Sequence, residues 1–534
     1  MFDVIIENGL VIDGTGSPGK AFDVGIEKDK IKAVGDLANA EASKRIDAVG
    51  MVVAPGFIDI HTHSELELMA DGRGLSMLHQ GVTTNVTGNC GMSLAPISDI
   101  SRRPVQLSLA VDSYGIEWDW YSFADWLDAL RSCPIAINVV PLVGHGSIRA
   151  TAMGFDDRIP TDLEMQAMER LTYESMEAGA FGISTGLVYP PGIYSRTPEL
   201  AALARVVAEF DGIYASHIRG EASTLLDAVA EAVHIGKASG AKVEISHHKA
   251  AGRPNWGKVQ ESFALIETGA KTHDITYDIY PYEAGNAGLG QLLPPWSHVG
   301  GTEVLLKRLH SKPERERIYH DIIHGCPGWD NFFPIDWADI QLASIASQTN
   351  RWMESKSVAD VAGKLNLDPV ELVMDLVLEE ENQVSMVNFV MSTEDIEFLI
   401  TKSLAMIGSD GRAVSPDGPT AGGHPHPRYY GTFARILSKY VRERRLLTLE
   451  EAVHKMTGMA GAKLNLTGRG LIQTGFFADI TIFDPLTVSD CATYAKPHQT
   501  AIGVKWVLVN GQIALAGGVP TSKMGGRVLS NIGS

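Results

Sequence analysis

The sequence has few cysteines, no surplus of basic residues and no long apolar run, and each shortage excludes something. Its 534 residues hold four cysteines, Cys90, Cys133, Cys326 and Cys491, far apart and without a C-x-x-C pair. A disulfide framework is therefore not expected, and a reducing, cytoplasmic setting is. Lys and Arg number 45 against 64 Asp and Glu, a formal net charge of -19. Such a chain repels phosphate backbones and anionic headgroups, so neither nucleic acid nor membrane is expected as a partner. No apolar stretch approaches the ~18–20 residues of a membrane span. The opening residues, Met1-Phe2-Asp3-Val4-Ile5-Ile6-Glu7, carry no basic segment and do not read as a secretory signal.

What is present is a change of rhythm along the chain. Residues 1–55 read as short strands broken by Asn8-Gly9, Asp13-Gly14 and Lys28-Asp29-Lys30. Residues 466–534 repeat that style, with Asn510-Gly511 as a hairpin turn. The two ends are expected to form one discontinuous β-sandwich domain. Between them, residues 56–465 alternate short apolar strands with helical patterns, the rhythm of a parallel sheet. Eight strands are predicted, at 52–61, 83–87, 138–143, 182–187, 212–216, 242–246, 275–280 and 403–408. Eight such units predict an α/β fold, a (β/α)8 barrel with its chemistry at the strands' C-terminal ends. About 120 residues separate the last two strands. The insertion at about 284–400, helical around 358–381, is expected to act as a lid or substrate wall. Trp296, Trp329, Trp337 and Trp352 lie in it.

The strand ends carry the chemistry. Pro55-Gly56-Phe57-Ile58-Asp59-Ile60-His61-Thr62-His63 is a strand whose alternation turns His61 and His63 to one side. The second strand runs into Gly88-Asn89-Cys90-Gly91, the third into His145, the fifth into His217, the sixth into His247-His248-Lys249 and the eighth into Asp410. A lone histidine or cysteine has a bland explanation in core packing. A succession of His, Cys and Asp directly after apolar strands does not, because imidazole, thiolate and carboxylate are the ligand set of zinc. Of the adjacent pair, His247 is preferred over His248, because alternation puts Val243, Ile245 and His247 on one face, as it does Ile213, Ala215 and His217.

These residues resemble the amidohydrolase superfamily. The segments Gly81-Val82-Thr83-Thr84, Thr87-Gly88-Asn89-Cys90-Gly91, Ser246-His247-His248-Lys249 and Pro425-His426-Pro427-Arg428 are similar to its D-aminoacylase branch, the N-acyl-D-amino-acid deacylases. The likeness covers nearly the whole chain. It implies that Cys90, His217 and His247 hold one tight zinc, that His61 and His63 with Asp410 form a weaker second site, and that Asp410 is the catalytic acid/base. It also implies that Lys249, Tyr189, Tyr280 (rather than Tyr282) and Arg428 bind a substrate carboxylate. His145 is a candidate polarising group, with a structural role as the alternative. Two departures stand out. The fourth strand has no lysine to bridge two metals, so Cys90 takes that place, and the 414–424 loop before Arg428 is longer than the family's usual form.

The function implied is zinc-dependent hydrolysis of an N-acyl-D-amino acid to a carboxylate and a free D-amino acid. Three protein ligands leave a fourth position where the pKa of water falls towards ~7. The preference for the D enantiomer rests on the resemblance alone. The alternatives are ring opening of a hydantoin or dihydropyrimidine, cleavage of an atypical dipeptide, or a catalytically dead scaffold, which would be expected to have lost its ligands.

Overall fold

A computed structural model describes residues 1–98, 114–330 and 335–532. Its centre is a parallel barrel of eight strands: β1 Phe57–Asp59, β2 Val82–Thr87, β3 Asn138–Pro141 continued by Val143–Gly144, β4 Gly182–Gly186, β5 Ile213–His217, β6 Lys242–Ile245, β7 Ile275–Ile279 and β8 Ala405–Ile407. Neighbours pair in parallel from β1 to β3 and from β3 to β8. At Leu142 the third strand changes partner, from β2 to β4. Beyond the ends of β1 and β8, a bridge between Thr62 and Gly411 closes the ring. There Asp410 N–H donates to His61 O at 2.8 Å, and His63 N–H to Gly411 O at 2.8 Å. The closure therefore lies among the residues that carry the chemistry.

The barrel interior is filled by Ile58, Ile60, Val86, Val140, Leu142, Phe181, Ile213, Ala215 and Met406. Helices Asp162–Glu177, Thr197–Ala208, Leu225–Ser239 and Val259–Ala270 cover the outside in sequence. Thr161 caps the first of these through a capping box with Glu164. The second starts at Thr197 with Arg196 at its cap and Pro198 in its first turn.

The predicted first strand, 52–61, is two strands. Val52–Pro55 pairs with Leu10–Val11 and Ile480–Phe483 in a sheet built from both ends of the chain. The break falls at Gly56, where a Cβ would meet Thr83 Oγ1 at 2.2 Å, so only glycine lets the chain pass into the barrel. That seven-stranded sheet shares an apolar core with a four-stranded sheet. Val4, Ile6, Val24, Ile26 and Ile46 face Val53, Ile480, Ile482 and Leu508. The Asn510-Gly511 turn joins Val504–Val509 to Gln512–Ala516 with φ of 49° and 76°, as a two-residue hairpin demands.

Between β7 and β8 stands a three-stranded antiparallel sheet of Ala284–Gly288, Val384–Phe389 and Ile340–Ile345. It packs with helices Thr302–His310, Lys312–His324, Val358–Leu365 and Pro369–Glu379 around an apolar core of its own. The helical stretch expected around 358–381 is two helices, because Asn366 turns left-handed at φ 56° and Asp368 caps a new start ahead of Pro369. Among the described residues no helix is long and apolar enough to cross a membrane.

Candidate metal centre and cleft

The strand ends converge. His61, His63, Cys90 and Asp410 form one group whose ligand atoms lie within 4.8 Å of one another, and Cys90, His217 and His247 form a second. Cys90 belongs to both. Its Sγ lies 3.4 Å from His61 Nε2 and 3.4 Å from His247 Nε2. A tight turn after β2 delivers it there. A Cβ on Gly88 would strike Leu142 O at 2.0 Å and one on Gly91 would strike Gly186 N at 2.7 Å, so both positions require glycine.

Three of these residues depart from extended backbone. Cys90, His247 and Asp410 have φ of 53°, 35° and 48°, a left-handed region that side-chain-bearing residues seldom adopt. For His247 this overturns the alternation argument. Val243 and Ile245 face outwards, into the core shared with the surrounding helices, with Val243 Cγ2 against Gly236. Glu244 is the residue that points inwards, its carboxylate accepting from Thr276 Oγ1. Strict alternation would send His247 away from the axis, and its positive φ brings it back. His248 faces outwards instead, with Nε2 2.9 Å from Ser262 Oγ, and burial pushes its pKa down to about 3.

Carboxylates orient the imidazoles. Asp278 Oδ2 lies 3.1 Å from His61 Nδ1, and Glu221 Oε1 lies 3.1 Å from His247 Nδ1. Asp278 fixes a proton on His61 Nδ1 and leaves Nε2 to face the cluster, as metal-binding histidines require; at His247 both Glu221 and Lys249, its Nζ 2.8 Å away, meet Nδ1, and Nε2 faces Cys90. Burial alone would raise the Cys90 thiol, but the imidazoles of His61, His247 and His217 outweigh it and hold the thiol well below its usual value. Burial also opposes a charged His63, yet hydrogen bonds to Asp410 and Cys90 raise it to about 9. The site thus gathers acidic ligands that call for a cation. His217 gives the sharpest test of fit: it is buried, and neither ring nitrogen has a hydrogen-bond partner. Two orphaned nitrogens beside a buried thiol suit a metal ligand and cost stability otherwise. The donor set of thiolate, imidazole and carboxylate fits zinc.

Asp410 links this cluster to Arg428. Its Oδ1 lies 3.1 Å from His63 Nε2, and its Oδ2 accepts from Arg428 Nη2 at 2.9 Å. Burial would raise its pKa, but Arg428, His63, His247 and His61 hold it well below the carboxylate range. Arg428 is buried and stacks over the Tyr280 ring at 4.6 Å, with Nε and Nη1 unpartnered.

A cleft of about 900 Å³ opens on the cluster, lined by Tyr189, His217, Glu221, His247, Lys249, Tyr280 and Asp410 among others. Its far wall is apolar: Val188, Ile193, Leu292, Trp329, Ile335 and Val390. Of the four insertion tryptophans, Trp329 reaches this wall, whereas Trp296 packs on Arg317 and Trp352 beside Lys364. Tyr280 lines the cleft; Tyr282 turns away to His426 and Arg435. The Tyr189 ring stands edge-on to His217 at 4.9 Å. Lys249 Nζ donates to Glu221 Oε1 at 2.6 Å. His145 is not in the cleft lining. Its Nε2 lies 2.9 Å from Glu199 Oε1, in a buried cluster with Arg149, which points to the structural alternative.

Glu221 and Asp278 carry weight that their positions in sequence do not advertise. Asp278 shares the inward face of β7 with Thr276 and Tyr280, a signal that alternation supplies. Glu221 comes from an irregular loop, and only its spacing of four from His217 hints at it.

Comparison with known proteins gives a consistent answer. The amidohydrolase family model matches residues 44–289 and 349–515. A D-aminoacylase of Alcaligenes xylosoxydans xylosoxydans is 37% identical, covering 99% of this chain and 98% of that one. An N-acyl-D-aspartate deacylase and an N-acyl-D-glutamate deacylase of the same organism are each 36% identical, covering 99% of this chain and 95% and 96% of theirs. The crystal structure of N-acyl-D-glutamate deacylase from Bordetella bronchiseptica, complexed with zinc and a phosphonate inhibitor, superposes with a TM-score of 0.84 at 32% identity, covering 99% of both chains. A D-aminoacylase structure described for its binuclear metal centre superposes with a TM-score of 0.84 at 34% identity, covering 99% of this chain and 100% of that one. A D-hydantoinase, at 16% identity and a TM-score of 0.56 over 99% of this chain and 98% of its own, shares the fold.

Proposed function

The chain belongs to the amidohydrolase family, in its D-aminoacylase branch of metal-dependent enzymes, and on that premise we propose that it hydrolyses N-acyl-D-amino acids with neutral side chains. The products are a carboxylate and a free D-amino acid. Asp410 is the observation that carries the reading. One carboxylate touches both the metal cluster, through His63, and the carboxylate anchor, through Arg428. In an N-acyl amino acid the scissile amide is one carbon from the α-carboxylate, so a single residue must serve both ends.

In this reading Cys90, His217 and His247 hold zinc tightly, and His61, His63 and Asp410 form a weaker second position. Zinc bound by Cys90, His217 and His247 would supply Lewis acidity toward the acyl carbonyl and lower the pKa of water near neutral pH. Asp410 accepts the proton of the attacking water and delivers it to the departing nitrogen, which a poor amine leaving group requires. Arg428, the buried cation paired with Asp410, and Tyr280 in the cleft wall take the α-carboxylate. Lys249 and Tyr189 border the same cleft.

Charge pairing argues for a neutral side chain. Lys249 is matched by Glu221, and Arg219 by Glu231 at 2.9 Å, so among the described residues lining the cleft a second carboxylate finds no spare cation and meets Glu221 and Asp330. Release of amino acid from N-acetyl-D-leucine, D-phenylalanine, D-aspartate, D-glutamate and L-leucine tests this. Zinc-dependent release is expected from the first two, at least tenfold above the acidic pair, with none from the L substrate. Faster release from D-aspartate or D-glutamate contradicts the side-chain assignment, and release from the L substrate contradicts the stereochemistry.

A further inference from the structure

The cleft continues past Tyr189. A second cavity of about 690 Å³ lies beyond it, and the two share Val188, Tyr189, Gln291 and Trp329 as a common wall. Phe155, Pro190, Leu293 and Pro295 supply the second cavity's apolar surface, and Gln291, Thr302 and Asn382 add uncharged polar groups. Among the described residues no Asp, Glu, Lys or Arg lines it. Its one histidine, His298, is held by burial at about 4 and is neutral at pH 7, with Nε2 3.0 Å from Gly290 O.

The order of contacts gives this cavity a direction. Arg428 and Tyr280 lie on the Asp410 side of the cluster, while Tyr189 packs on His217, at the tight metal group. A substrate with its α-carboxylate at Arg428 and its carbonyl at Cys90, His217 and His247 has its acyl group pointing on past His217. The amino-acid side chain is left to the apolar wall of the first cavity.

We propose that the second cavity is an acyl subsite, and that the enzyme takes N-acyl-D-amino acids whose acyl group is an extended, uncharged alkyl chain in preference to acetyl. This rests on the deacylase reading above. The bonds are those of that reaction: water oxygen joins the acyl carbon, the C–N bond breaks, and the proton goes to the leaving amine. Contact with its apolar side chains rewards each added methylene by withdrawing it from water.

Gly288 supplies the test. It lines the second cavity and not the first, a Cβ added to it meets nothing within 4 Å, and its φ of -70° suits any residue. Gly288→Leu therefore starts its side chain in open space at the cavity lining and is expected to narrow the cavity. kcat/KM is measured for N-acetyl-, N-butanoyl-, N-octanoyl- and N-decanoyl-D-leucine, and for N-acetyl-D-amino acids of increasing side-chain length. Decanoate binding is followed by calorimetry in parallel. The wild type should gain roughly two- to fourfold per added acyl methylene over the first few. In Gly288→Leu the decanoyl-to-acetyl ratio should fall at least tenfold. Decanoyl substrate cleaved no faster than acetyl overturns the subsite and leaves the deacylase reading standing. A gain that follows side-chain length instead of acyl length overturns the assignment of the cavity. Decanoate that binds the wild type, and binds Gly288→Leu more weakly, with no hydrolysis of any substrate, keeps the chain-binding cavity and removes the deacylase reading. No hydrolysis and no decanoate binding overturns both.

Discussion

Glu221 Oε1 stands 3.1 Å from His247 Nδ1 and 2.6 Å from Lys249 Nζ, which itself lies 2.8 Å from that nitrogen, so the carboxylate holds both groups behind the metal cluster. Burial would raise this carboxyl, but Lys249, His217 and His247 pull it well below the usual range and keep it an acceptor. Glu221→Gln should weaken zinc affinity about 10- to 100-fold. Chelator competition reads the loss, and KM for the substrate should move less than kcat. Unchanged zinc affinity would make Glu221 a partner of Lys249 alone. At this scale the sequence was partly legible. His61, His63, Cys90, His217 and Asp410 follow apolar strands directly, so their convergence could be read from spacing. Alternation favours His247 for a reason that the backbone refutes: β6 points Glu244 inwards, and the left-handed backbone at His247 restores the histidine. Glu221 lay beyond reach, because a carboxylate on an irregular loop has no periodicity to betray it.

The elements divide by how local their causes are. All eight barrel strands lie within their predicted stretches or close to them, because short β-branched runs between helical patterns need only local sequence. The Val52–Pro55 break was missed, since it depends on Thr83 leaving no room at Gly56. The insertion shows as a length anomaly, but its antiparallel sheet pairs residues about 100 positions apart, such as Ala284 with Phe389. Its separate core makes it a candidate for independent unfolding. Leu305, fully buried on helix Thr302–His310, is well placed to test that. Leu305→Ala should cost about 2–5 kcal/mol. Calorimetry should show an earlier transition while bound zinc is retained. One transition shifting as a whole, with zinc lost alongside, would show that insertion and barrel unfold together.

Across the whole molecule, a sandwich from both termini braces the first barrel strand, the barrel supplies the ligands, and the insertion builds the far wall of the cleft. The labour is divided: the ligand-bearing strand ends lie in the barrel, while Leu292, Trp329, Ile335 and Val390 of the cleft wall come from the stretch between β7 and β8. Net charge of -19 leaves an anionic substrate to be drawn by local cations, which makes Arg428 and its pairing with Asp410 the centre of the account. The measurement that tests it most directly is turnover of N-acetyl-D-leucine by Asp410→Asn, with zinc counted by elemental analysis on the same sample. The account predicts a folded protein that keeps its tightly held zinc and loses about 10²- to 10⁴-fold in kcat. A variant that keeps both zinc and turnover would contradict it, and would remove Asp410 from the proton transfer.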